Sequence, residues 1–243
     1  MIEKFIYTGP SWAARSFDIP GSHADNNRTN FAKEWQIPFV NISQSSTNIL
    51  NRVSAVNKLG SNKLPIIWIY NEPINNLTDI TKLSFLEFIQ RADWKDIWKE
   101  CNQHCLQAIN NIGRPVLLIG AHSDIVDCNY DNITIGCPSW QKWMAEQAGL
   151  AVDSNTVYVK MYDGSDFSVN HCWGAEVVHK IIHEHPEITP SIEIVNAIWD
   201  IFFFWKELEK ANLFYEVHPN RRATVEFAKF LLPTVTKFLQ DNK

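Results

Sequence analysis

Three side chains in this chain carry the groups that acyl transfer needs: a hydroxyl, an amide and an imidazole. Ser11 follows the apolar run FIYTGP at residues 5–10. A serine hydroxyl is a weak nucleophile at neutral pH until a neighbouring base takes its proton. Gly9 permits a tight turn ahead of Ser11, and Pro10 stiffens the approach. A helical turn over the following WAARSF would aim backbone N–H groups back at the serine and favour an anion there. The same serine also reads as a simple helix cap. His218, in EVHPNRRA, is the base that could activate it. Pro219 biases His218 towards extended backbone, and Asn220 is a good N-cap for the helix that follows. The imidazole is therefore expected on a rigid loop at a helix start, although histidines are as readily structural. Asn71 ends the run LPIIWIYN at residues 64–71. An amide there could donate to a developing oxyanion, where loss of one donor costs about 3–4 kcal/mol. It also reads as a turn residue.

These residues need elements to hold them. FIYTG (5–9), IPFVNIS (37–43), LPIIWIYN (64–71) and RPVLLIGA (114–121) are apolar almost throughout and bounded by turn residues. Such runs suit strands buried on both faces of a parallel sheet. ITIG (133–136) and TVYVKMY (156–162) are weaker strand candidates. Helical spacing fills the intervals: 30–35, 46–60 ending at Gly60, a long helix or broken pair over 83–112, 139–150 capped by Ser139, 173–185, 190–213 and 221–240. Alternating strands and helices predict a flavodoxin-like three-layer α/β/α sandwich around a mostly parallel sheet, with one domain over 1–243. The stretch from about 122 to 170 reads as an insertion that shapes the site. In such sheets ligands bind beyond the carboxyl ends of the strands, where Ser11, Asn71 and the residues after Gly120 all fall.

Composition narrows the class. The chain has 243 residues, 45% hydrophobic and 20% charged, which suits a globular domain with a full core. A net charge of −5 with no basic run argues against a nucleic-acid surface. No leader pattern opens the chain and no window of about eighteen uncharged apolar residues occurs, so the expectation is a cytoplasmic protein without a membrane span. Five cysteines include CNQHC, which sets Cys101, His104 and Cys105 on one helical turn as a metal corner with no second ligand pair. They also read as reduced, small apolar residues. HKIIHEH (179–185) has metal-like spacing but no companion carboxylate motif. IWDIFFFWKEL (198–208) is apolar on nearly every side, and reads either as a core helix or as an exposed face for a homodimer or an acyl pocket. Ten tryptophans could line a sugar cleft, although large aromatics are more often core.

The ordered set TGPSWAARS, NISQSSTNIL, IWIYNEP and EVHPNRRA resembles the blocks of the SGNH hydrolase (GDSL-like esterase/lipase) superfamily, over nearly the whole chain. The resemblance implies Ser11 as nucleophile, His218 as base, and an oxyanion hole from the Ser11 N–H, the Asn71 amide and a backbone N–H at Ser45, with Ser46 as the alternative, where the family usually has glycine. Three departures stand out. Pro10 precedes the serine in place of aspartate, Ser45 replaces the glycine, and Tyr215 occupies the position of the family's aspartate three residues before the histidine. The carboxylate that orients the imidazole would then be Glu216 or Asp124, or a backbone carbonyl would serve a Ser–His dyad.

The activity this implies is hydrolysis of a carboxylic ester through an acyl-serine, with no cofactor or metal. The substrate would be a small-molecule or glycan ester, such as an O-acyl or O-acetyl sugar. The alternatives are a catalytically impaired SGNH-fold module that binds a glycan or acyl group, and an O-acyltransferase.

Overall fold

The computed structural model describes residues 4–9, 31–43, 48–60, 63–70, 76–88, 90–121, 125–150, 186–187, 189, 207–215 and 218–242. Four strands come from the four strongest apolar runs: β1 (Phe5–Thr8), β3 (Ile66–Tyr70) and β4 (Val116–Gly120), buried throughout, and β2 (Phe39–Asn41), which is half-buried and ends on the exposed Asn41. β5 (Ile133–Cys137) comes from the weaker ITIG segment. All four pairings in this sheet are parallel, in the order β2-β1-β3-β4-β5. This is the flavodoxin-like order, and its switch point lies between β1 and β3.

Alternation along the strands sends successive side chains to opposite faces, and both faces are covered. On one face Phe5, Tyr7, Ile67, Ile69, Leu117 and Ile119 pack with helices α5 (Trp140–Gln147) and α6 (Arg221–Asp241). On the other, Ile6, Ile66, Trp68, Tyr70, Val116 and Leu118 pack with α1 (Ile49–Lys58) and α4 (Trp94–Asn110). The architecture is a three-layer α/β/α sandwich. Two-sided burial explains why these strands are apolar without interruption.

Local chemistry sets the helix limits. Asn48 caps α1, its Oδ1 accepting from Asn51 N at 2.8 Å, and Gly60 at φ 74° supplies the left-handed turn that ends it. The stretch 83–112 is broken rather than continuous. Two short helices, α2 (Leu77–Thr81) and α3 (Phe85–Phe88), precede α4. α3 starts at a reciprocal capping box, with Glu87 N donating to Ser84 Oγ at 3.2 Å and Ser84 N to Glu87 Oε2 at 2.7 Å. Ser139 caps α5 through Lys142 N at 3.1 Å.

Residues 125–150, inside the stretch read as an insertion, carry β5 and α5. Strand candidate 156–162, helix candidate 173–185 with HKIIHEH, and residues 198–206 of the aromatic segment lie outside the described residues. Leu208 is fully buried in the α5/α6 layer. Among the described residues, no helix is long and apolar enough to cross a membrane.

Candidate functional site

The switch point gives the first anchor. Thr8 is the register partner of Trp68, and β3 continues to Tyr70. Gly9 follows β1 at φ 155°, backbone that residues with a Cβ rarely adopt. The chain thus leaves β1 for Pro10-Ser11 through a position that favours glycine. Ser11, Ser45, Asn71, Glu216 and Asp124 lie outside the described residues. His218 is described in its backbone, within the short antiparallel pair β6 (Phe214–Tyr215) and β7 (His218–Pro219).

What can be built is the frame around each of them. β2 and β3 flank β1, so the chain leaves three adjacent strand ends towards 44–47, towards Pro10-Ser11 and towards 71–75. At the start of the first of these loops, Asn41 Oδ1 accepts from Ser43 N at 2.9 Å, closing an Asx turn. The described residues that follow 44–47 and those that follow 71–75 are fastened together. Asn76, 1% exposed, accepts from Leu50 N at 3.2 Å in the first turn of α1, and Asn48 Nδ2 donates to Asp79 Oδ2 at 3.0 Å. The segments carrying Ser45 and Asn71 therefore leave neighbouring regions of the sheet edge and end at mutually bonded anchors.

The His218 segment is held by the start of α6. Asn220 Oδ1 accepts from Ala223 N at 3.0 Å, its Nδ2 donates to Asn212 O at 2.9 Å, and its own N–H donates to Leu213 O at 3.1 Å. One asparagine thus caps the helix and ties the end of β7 to residues 212–213. α6 is fixed to α5 by Phe227, whose ring stacks on Trp140 at 4.5 Å with 9° between planes. Trp35 Nε1 adds a bond to Ala228 O at 2.9 Å.

The segment after β4 is pinned on both sides of 122–124. Ala121 N donates to Tyr70 O at 2.8 Å, and Ile125 N to Pro138 O at 3.1 Å. Tyr70 Oη donates to Asn102 Oδ1 at 2.8 Å, and Asn102 Nδ2 donates to Val126 O at 3.1 Å. Asn102 was not singled out in the sequence. Its signal is a polar residue on the stripe Trp94, Ile97, Trp98, Cys101, Asn102, Cys105, Leu106, Ile109, all buried in α4.

The CNQHC turn does not present three ligands together. Cys101 and Cys105 are buried on that stripe, while His104 is exposed with Nδ1 3.3 Å from Glu100 O. Burial, with a smaller contribution from Glu100, pushes the Cys101 thiol up to about 12. Burial likewise holds Cys105 well above the ordinary thiol range. Burial thus favours the neutral thiol at both positions.

Two buried polar atoms lie at the switch point. Thr8 Oγ1 and Trp68 Nε1 have no hydrogen-bond partner among the described residues. An unpaired buried hydroxyl is destabilising, and exchange for an isosteric methyl removes that cost. Thr8→Val is expected to raise unfolding stability by about 1 kcal/mol, measured by urea denaturation. A loss of similar size would show that the hydroxyl is paired.

No family model and no curated protein matches the chain. Among solved structures, it resembles a crystal structure of protein YXIM from Bacillus subtilis, with a TM-score of 0.41 and 11% identity over 97% of this chain. The chain spans 56% of the length of that protein's solved chain.

Proposed function

We propose that this protein is a serine esterase-type hydrolase of the SGNH kind, acting on a carboxylic ester through an acyl-serine. Ser11 Oγ attacks the ester carbonyl as His218 takes its proton. The Ser11 N–H, the Ser45 N–H and the Asn71 amide hold the oxyanion. His218 then protonates the departing alkoxide, and the alcohol leaves an acyl group on Ser11. A water molecule gives its proton to His218 and attacks the acyl carbon. The carboxylic acid departs as Ser11 regains its proton from the imidazolium. Glu216, Asp124 or a backbone carbonyl orients the imidazole. An O-acyl group on a glycan is the substrate class; the described tryptophans, Trp35, Trp68, Trp94, Trp98, Trp140 and Trp143, are buried in the interior and offer no stacking surface for a sugar.

The observation that carries this reading is the strand order. β1, β2 and β3 are adjacent and parallel, and the candidate nucleophile and both additional oxyanion donors follow their carboxyl ends within a few residues. The bonded exits at Asn48 and Asn76 support a common site for Ser45 and Asn71. The extended backbone at His218-Pro219 and the Asn220 cap support a fixed base. A binding module is the rival reading, favoured by Tyr215 at the family's acid position. Turnover of a short-chain aryl ester by the wild-type chain and by Ser11→Ala decides between them. Hydrolysis that disappears with the hydroxyl supports the enzyme. Equal turnover by both proteins, or none by the folded wild type, overturns it.

A further inference from the structure

We propose that the hydrogen-bond chain Tyr70–Asn102–Val126 is a positioning device that sets the end of β3 against the segment after β4, making Tyr70 and Asn102 positioning residues for the reaction proposed above.

Asn102 is costly where it stands. Asparagine is a poor helix-interior residue, and Asn102 is fully buried on a stripe of tryptophan, cysteine, leucine and isoleucine. A buried amide is tolerated when its polar groups are paired, and here both the oxygen and the nitrogen are used. The direction of the chain is forced. Val126 O can only accept, so the amide nitrogen faces it. The amide oxygen then faces Tyr70, whose phenol must donate. Three elements meet at this one side chain: the last residue of β3, the middle of α4 and the segment after β4.

The two segments it joins carry the groups whose relative placement matters. Tyr70 is the residue before Asn71, the proposed oxyanion donor. Val126 lies two residues beyond Asp124, one of the acids that could orient His218. Tyr70 also accepts Ala121 N at its carbonyl, so it is bonded to the main chain on one side of 122–124 and, through Asn102, to the other. The neighbouring turn is fastened to the same helix, with Gln103 Nε2 donating to Asp127 O at 3.2 Å and Lys99 Nζ 3.5 Å from Asp127 Oδ2. Those two contacts are exposed; the Tyr70–Asn102 bond is buried, and water does not compete for it.

This inference rests on the esterase reading for its kinetic consequence and is independent of it for its structural one. Tyr70→Phe keeps the ring and removes one hydroxyl. Misplacement of a reacting group by about 1 Å can cost on the order of 10²-fold. Tyr70→Phe is therefore expected to lower kcat by about tenfold to a hundredfold with KM changed less than twofold, per site labelled by a fluorophosphonate. Asn102→Leu should give a loss of similar size, and the double variant should be no worse than the more impaired single one, because both remove the same link. Losses that multiply, or an unchanged kcat in Tyr70→Phe, would overturn the inference. Hydrogen exchange is the second readout and needs no activity. Amides over 121–128 should exchange faster in Tyr70→Phe than in the wild type; equal rates would also overturn it. If Ser11→Ala retains full turnover, the esterase reading has failed, and the exchange result alone decides whether the two segments are coupled. If Asn102→Leu does not fold, Tyr70→Phe decides by both readouts.

Discussion

Replacing Ser11 with alanine is expected to lower kcat for a short-chain aryl ester by about 10⁴-fold or more, with the unfolding transition unmoved. The size follows from what is lost. Without Oγ no acyl-enzyme forms, and His218 has no hydroxyl to activate. The oxyanion donors and the binding surface remain, and in serine hydrolases these alone sustain roughly 10³–10⁴-fold acceleration over water. Residual turnover of that order is thus compatible with the proposal, provided that it no longer shows a pre-steady-state burst. Steady-state and burst kinetics on purified protein, with thermal unfolding alongside, measure the outcome. An undiminished burst would remove Ser11 from the mechanism.

The largest effect on stability is expected from Phe227→Ala, at about 3–5 kcal/mol. Phe227 is fully buried, stacked on Trp140 at 4.5 Å and within 5.0 Å of Trp143 between ring centroids. Truncation removes the transfer free energy of the ring and opens a cavity, and it forfeits ring pairing worth about 0.5–1.5 kcal/mol beyond area. The shift in urea midpoint at constant slope reads this directly. Phe230 is the internal control. It is 52% exposed on the same helix, so its truncation should cost far less. Similar losses at both positions would mean that the α5–α6 layer is not held by the Trp140–Phe227 stack. The stack matters for the site because it fastens the beginning of α6, the helix whose cap follows His218.

The sheet was legible in the residues because both of its faces are covered. A strand with one wet face would have shown alternation, whereas Ile66–Tyr70 and Val116–Gly120 are apolar at every position and buried at every position. The caps at Ser139 and Asn220 were legible because their partners lie three residues away. The break before α4 was one of two readings of 83–112, and what decides it is the Ser84–Glu87 box together with the Arg91–Asp93 pair at 2.6–2.7 Å, contacts that compete with a continuous helix. Asn102 could be seen as a polar residue on an apolar stripe. Its partners, Tyr70 and Val126, are 32 and 24 positions away, and only the packing of α4 against the sheet brings them together. Asn76 is a similar case: it reads as a turn residue, yet it caps a helix 26 positions earlier. Pairwise chemistry across the fold, unlike periodicity, leaves no local trace.

The central claim is that a hydroxyl near the start of the chain is activated by an imidazole near its end. Labelling with a fluorophosphonate, followed by mapping of the modified peptide, tests it most directly. The expected result is a single phosphonate on Ser11 of the folded wild-type protein and a labelling rate that collapses in His218→Ala. A folded protein that takes up no phosphonate, or one whose Ser11 reacts equally fast without the imidazole, would contradict it.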